Sequence, residues 1–385
     1  MKYLLIFLFI FSVKFFSEVI INKADAPDTI LFWSTPQKLE GFKNIKEILP
    51  TKLISKSKQA YPLTYNLIDL TDLKYTFEGK VFSLDDYIEK FKVAGLIVIR
   101  DGIILYEDYN FGNNEFSKWV SFSVTKSVTS MLLGAAIKDG FVNSVEDEVS
   151  TYLPQLRNSK YKEVTIKEIL HMSSGINWNE DYTDPKSDVN IAGAMNSHSL
   201  YKYLSTLSRD ASPGSKFNYN TGETNLLGGV VRAATGNDLS SYLEQKIWKP
   251  FGMEHDAYWT TDTDSEQELG GCCINASLRD YARIGIFAMD NGLLRNGDMI
   301  LPEYWISEST TPSPNNGYYG YQWWLDGEEY RSFYADGIFG QFIWIDPVSR
   351  TVVAMHSARD QAAVDFYVGG HRLYFMLSLL NKINR

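Results

Sequence analysis

Two β-rich stretches at opposite ends of the chain constrain its fold more than any other feature. Residues Gly95 to Tyr109 form two runs of aliphatic and aromatic residues joined by Asp101-Gly102. That pair suits the positive backbone dihedrals of a type I′ turn, so a hairpin is predicted there. Further along, Tyr330 to Tyr334, Gln341 to Ile345 and Thr351 to His356 read as three more strands, the last two joined through Asp346-Pro347. Between the two stretches the period becomes helical. Thr165-Ile166-Lys167-Glu168 is a capping box that starts a short helix ahead of Gly175. Leu226 to Ala234 closes at Gly236, and Ala276 to Met289 closes near Asn291-Gly292. A terminal helix, Ala362 to Ile383, carries a Gly369-Gly370 interruption.

The fold class expected is α/β (α+β): an antiparallel sheet built from N- and C-terminal segments, flanked by helices, with an inserted mainly helical region. Residues 90–139 and 292–385 would make the α/β domain, 140–291 the helical insert and 27–89 an N-terminal extension. No internal repeat or low-complexity tract interrupts this plan.

Composition narrows function by exclusion. The 385 residues are 44% hydrophobic, enough for a large core, and the net charge is -10. Acidic balance without a basic block leaves no electrostatic footprint for nucleic acid. Cys272 and Cys273 are adjacent, which excludes Cys-x-x-Cys metal or redox spacing and leaves either a vicinal bridge or, as the simpler expectation, two buried thiols. No metal or organic cofactor is expected. The start, Met1-Lys2 followed by an apolar run to Val13, fits a secretory signal peptide within residues 1–26. The product would be exported, periplasmic or secreted; the alternative is an uncleaved anchor, which is the single route to membrane attachment. Oligomeric state has no sequence signal.

Ser-x-x-Lys occurs at Ser55/Lys58, Ser123/Lys126, Ser159/Lys162 and Ser199/Lys202. The first and third lie in lysine-rich polar segments, where solvated charge is the expected state, and the fourth reads as a surface helix. Only Ser123 opens a helix, Ser123 to Lys138, whose next turns are apolar and small. Residues i and i+3 share a helix face, so the Lys126 amine can reach the Ser123 hydroxyl, and desolvation favours the neutral amine that accepts a proton. At the helix start the Ser123 N–H is also free to face an oxyanion. The structural alternative is a capping serine and a snorkelling lysine.

Tyr219 sits in a polar, glycine-punctuated loop just before a helix, where a phenol can relay protons if neighbouring cations lower its pKa. Ala335-Asp336-Gly337-Ile338-Phe339-Gly340-Gln341 is a glycine-rich approach to a strand, suited either to a turn or to an oxyanion site. The segment Asn177 to Asp188 is acidic and aromatic. It is either a solvated loop or a lip holding a cationic substrate end, with Tyr182 and Asp188 as its candidates.

Taken in order, Ser-Val-Thr-Lys at 123–126, Ile-Leu-His-Met-Ser-Ser-Gly at 169–175, Phe-Asn-Tyr-Asn-Thr at 217–221 and Gly-Gln-Phe-Ile-Trp-Ile-Asp-Pro at 340–347 resemble the serine β-lactamase-like hydrolases over roughly residues 90–385. This group includes class C β-lactamases, esterases, D-alanyl peptidases and 6-aminohexanoate-dimer hydrolases. The resemblance implies an acyl-enzyme on Ser123, helped by Lys126 and Tyr219, with the backbone N–H groups of Ser123 and Gln341 as oxyanion donors.

Two departures bear on substrate. The second motif is Tyr219-Asn220-Thr221 rather than Tyr-x-Asn, and Ile338-Phe339-Gly340 stands where penicillin-recognising members have Lys-Thr-Gly or His-x-Gly. Ile338 and Phe339 then become apolar substrate-contacting candidates, and a carboxylate clamp is missing. A charge-assisted contact of that kind contributes about 1.5–3 kcal/mol. The expected substrate is a small-molecule amide or ester, as in the 6-aminohexanoate-dimer-hydrolase-like branch. The rivals are a β-lactamase or D-alanyl-D-alanine carboxypeptidase, and a non-hydrolytic binding or sensor protein keeping the fold.

Overall fold

The structure, a computed structural model, describes residues 21, 29–262, 265–327, 329–362 and 366–384. The expected signal or anchor segment, residues 1–26, therefore lies outside the described residues except for Ile21.

The central sheet has seven strands: β1 (Thr64–Tyr65), β2 (Val93–Arg100), β3 (Ile103–Tyr109), β4 (Trp324–Leu325), β5 (Phe333–Asp336), β6 (Phe342–Asp346) and β7 (Thr351–Ser357), in the spatial order β4-β5-β6-β7-β2-β3-β1. The β2–β7 pairing, with Val98 opposite Val353, closes the sheet between distant chain segments. All pairings are antiparallel except the two-residue β1–β3 edge, which is parallel. The β2–β3 turn has φ of 49° at Asp101 and 76° at Gly102, as a type I′ turn requires.

Alternation along the strands explains why both faces are covered. Ile97, Ile99, Ile343, Ile345 and Val352 point into the large core shared with the helical region. Leu96, Val98, Phe342, Trp344 and Val353 point the other way. That second face is covered by α1 (Leu84–Phe91) and by the terminal helix, through Tyr87, Phe91, Phe375 and Leu379. A one-residue slip would exchange the two sets, at about 1.5–3 kcal/mol for each large side chain exposed.

The remaining long helices follow in chain order: α2 (Val124–Lys138), α3 (Thr221–Thr235), α4 (Leu278–Met289) and α5 (Phe366–Ile383). Helix α4 packs on β6 and β7, and α3 packs on α2. The Gly369-Gly370 pair does not break α5. The capping box at Thr165 and Glu168 is present, and Gly236 caps α3 with φ of 67°. A four-stranded antiparallel sheet joins Thr51–Ile54, Ala257–Thr260, Ile274–Ala276 and Trp119–Val120. Its last strand runs directly into the start of α2, and its first belongs to the N-terminal extension.

Candidate active site

Ser123 is delivered by a sharp junction between a strand and a helix. Phe122, the residue before it, has φ of 45°, a left-handed conformation costing on the order of 1–3 kcal/mol in a bulky residue. The Phe122 ring is held against Phe42 and Phe339, which keeps the junction in place. Ser123 itself is half-buried and is the N-cap of α2, with no side-chain cap bond. Its hydroxyl is thus not consumed in capping the helix it opens.

One turn on, Lys126 is 1% exposed and its Nζ lies 2.9 Å from Ser123 Oγ. Its second partner is the Gly271 carbonyl, at 3.1 Å. That carbonyl is placed by close packing: a Cβ at Gly270 would fall 2.5 Å from Thr224 O on α3. Thr129 Oγ1 donates to Gly270 O at 2.7 Å, and Gly271 N donates to Asn225 Oδ1 at 2.8 Å. Burial draws the Lys126 pKa down to about 8, and the Glu180 carboxylate opposes that shift. The lysines of the other three Ser-x-x-Lys matches, Lys58, Lys162 and Lys202, are exposed.

Tyr219 completes the group. Lys126 Nζ lies 5.1 Å from its ring centroid, and the ring stacks on Trp324 at 5.6 Å with an interplanar angle of 22°. The expected lowering of its pKa is not found. Burial pushes the phenol well above its ordinary value and Glu180 pushes the same way, with a hydrogen bond to Ser123 acting in opposition. The phenol therefore rests protonated, as a donor. His171 stays outside this group, with its ring 4.9 Å from Tyr321.

Glu180 was not singled out by the sequence. It accepts from Tyr182 Oη at 2.6 Å and Thr221 N at 3.0 Å, and also from Thr221 Oγ1 and Trp178 Nε1. The carboxylate thereby ties the 178–182 loop to the start of α3, two residues beyond Tyr219. Its only sequence signal was membership of the acidic, aromatic segment.

The four candidates for substrate contact separate. Tyr182 and Ile338 line the cavity beside Ser123. Asp188 does not: it accepts from Asn179 N at 2.7 Å and from Tyr203 Oη, and so staples its own loop. Phe339 is fully buried among Phe42 and Phe122. The backbone N–H of Gln341, like that of Ile338, donates to no protein acceptor among the described residues. The Gln341 side chain is buried within the turn, where Nε2 donates to Ser357 O at 3.0 Å and Oε1 accepts from Phe339 N at 3.2 Å. A Cβ at Gly337 would stand 2.6 Å from Ser121 O, so this turn is pressed against the residues leading into Ser123. The residue it presents to the cavity is Ile338, whose carbonyl is held by Arg359 Nη2 at 2.7 Å.

The pair Cys272 and Cys273 borders the same cavity, and the two sulfurs are in disulfide contact rather than forming separate thiols.

Comparison with known proteins identifies the family. The beta-lactamase family model matches residues 84–373, most of the chain. The chain belongs to the beta-lactamase family. Within it, the chain is 27% identical over 357 residues to a 6-aminohexanoate-dimer hydrolase from Paenarthrobacter ureafaciens, covering 87% of this chain and 89% of that one. It is 21% identical over 289 residues to the protein flp of Staphylococcus aureus, of which it spans 57% while 66% of this chain is covered. Among solved structures, a Bacillus anthracis protein described as a 6-aminohexanoate-dimer hydrolase superposes with a TM-score of 0.81 at 23% identity, covering 90% of this chain and 94% of that one. A family VIII carboxylesterase superposes with a TM-score of 0.57 at 17% identity, covering 76% and 95%. The beta-lactamase-family chain is accordingly a serine hydrolase of mixed α/β fold.

Proposed function

We propose that this hydrolase cleaves an amide or ester through an acyl-enzyme on Ser123. The observation that carries the reading is the buried Lys126 amine 2.9 Å from the Ser123 hydroxyl, with a pKa drawn down to about 8. At pH 7 about a tenth of such an amine is neutral and able to accept a proton. In the first step Lys126 takes the Ser123 proton while Oγ forms a bond to the substrate carbonyl carbon. The oxyanion is received by the N–H of Ser123 and, in place of Gln341, by that of Ile338, the cavity-facing residue of the 337–340 turn. Collapse breaks the bond to the leaving group, which takes a proton from Tyr219, and Lys126 re-protonates the phenol. Water then attacks the ester on Ser123, its proton returning through the same groups.

A protonated resting phenol supports Tyr219 as the donor to the leaving group and Lys126 as the base. The absence of Lys, Arg and His from the described cavity lining speaks against a substrate held by its carboxylate, as a β-lactam or D-alanyl peptide would be.

The test is intact-mass analysis after treatment with a fluorophosphonate. One adduct per chain is expected in the wild type and none in folded Ser123→Ala; an equal adduct in both would remove Ser123 from the mechanism.

A further inference from the structure

We infer that the cavity accepts an uncharged aliphatic acyl chain, and that residues 30–50, which precede the family match at 84–373, set the length it takes. This rests on the acyl-enzyme reading above and adds the substrate class to it.

The cavity has a volume of about 150 Å³ and opens beside Ser123. One wall is Ile30, Leu31, Ile45, Leu49 and Pro50, all from the N-terminal extension. Val189, Ala192, Met195 and Leu269 add further apolar lining. Neither Tyr219 nor Lys126 lines it, whereas Ser123 and Ile338 do. The cavity thus extends from the nucleophile and the turn beside it rather than from the phenol that faces the leaving group, so its occupant is the acyl part.

Charge does not fit there. Asp262 is the one carboxylic acid among the described lining residues, and it is already engaged, accepting from Ser197 N at 2.8 Å and Ser265 N at 2.7 Å. The neighbouring acidic loop satisfies itself in the same way: Asp181 accepts from Thr183 N at 2.9 Å, Asp184 from Lys186 N at 2.9 Å and Asp188 from Asn179 N at 2.7 Å. A cationic chain end would lose its water without gaining a free carboxylate inside the cavity. A methylene entering it leaves water for an apolar wall, which favours longer chains by about threefold to fourfold each until the wall is reached.

The position of Leu49 makes the wall testable, because it is half-buried at the margin of the cluster that holds Phe42, Ile45 and Phe122. The experiment measures kcat/KM for p-nitrophenyl esters from acetate to dodecanoate, together with p-nitrophenyl 6-aminohexanoate, on the full chain and on Leu49→Trp and Leu49→Ala. Expected are a rise of about threefold per methylene over the short esters, a fall once the chain outgrows the cavity, and hexanoate at least tenfold above its 6-amino counterpart. Leu49→Trp should move the optimum to shorter chains and Leu49→Ala to longer ones. A flat length profile, an unmoved optimum in both variants, or preference for the 6-amino ester overturns the inference while leaving the acyl-enzyme reading intact. If no ester or amide is turned over in a Ser123-dependent way, the acyl-enzyme reading fails, and the inference with it.

Discussion

Lys38 and Lys126 are both withdrawn from water, at 2% and 1% exposure, and burial draws both pKa values down to about 8. They differ in what their amines meet. Lys38 Nζ donates to the carbonyls of Arg359 at 3.1 Å and Asp360 at 2.6 Å and lies 4.2 Å from the Phe339 ring centroid, so it fastens the N-terminal extension to the turn that follows β7. Lys126 meets one carbonyl and one hydroxyl. A perturbed pKa alone therefore does not identify a base. What distinguishes Lys126 is a proton within reach whose removal leaves a nucleophile.

Replacing each lysine with methionine should have different consequences at the two sites. In Lys126→Met the largest effect is on rate: kcat/KM toward a short p-nitrophenyl ester should fall on the order of a thousandfold, with circular dichroism and thermal midpoint close to wild type. Survival of more than a tenth of the activity would make Lys126 as structural as Lys38. In Lys38→Met the effect should be on stability, with a loss of about 1–3 kcal/mol in denaturant unfolding from the carbonyl acceptors left unpaired, and a far smaller loss of rate. The pH dependence sharpens the contrast. The folded Lys38 pKa of about 8 lies below its ordinary value of 10.5. Between those two values the unfolded chain binds more protons, so stability rises with pH across that window. Lys38→Met should show a shallower rise than wild type.

The two lysines also differ in how visible they are from sequence. Lys126 announces itself because serine and lysine share one face at the start of a helix whose later turns, Met131 to Ile137, are small and apolar. The partners of Lys38 lie at the far end of the chain, and nothing local marks it. The same distinction runs through the fold. The hairpin at Asp101-Gly102, the strands of the C-terminal half and the helix caps were legible because each rests on a short-range pattern of turn residues or alternation. The seven-stranded order was legible only as an antiparallel sheet closed from both ends.

Loop residues have no period to say which way they face. Ile338 and Phe339 are neighbours with similar chemistry, yet one lines the cavity and the other is buried among aromatic rings. Gln341 was singled out for its backbone N–H, and no local pattern announced that its amide side chain holds the turn from inside. In the acidic segment Glu180 carries the tie to α3, while Asp188, of the same charge type, staples its own loop. The cavity wall from residues 30–50 was invisible because it depends on packing between segments that share no local pattern.

Lys126, in its neutral form, is held to activate Ser123. The rate of Ser123 phosphonylation by a fluorophosphonate, followed by intact mass from pH 6 to 10, reads that activation. The rate should climb about tenfold per pH unit below an apparent pKa of about 8 and level above it, with the climb absent in Lys126→Met. A wild-type rate independent of pH, or the same climb in Lys126→Met, would contradict it.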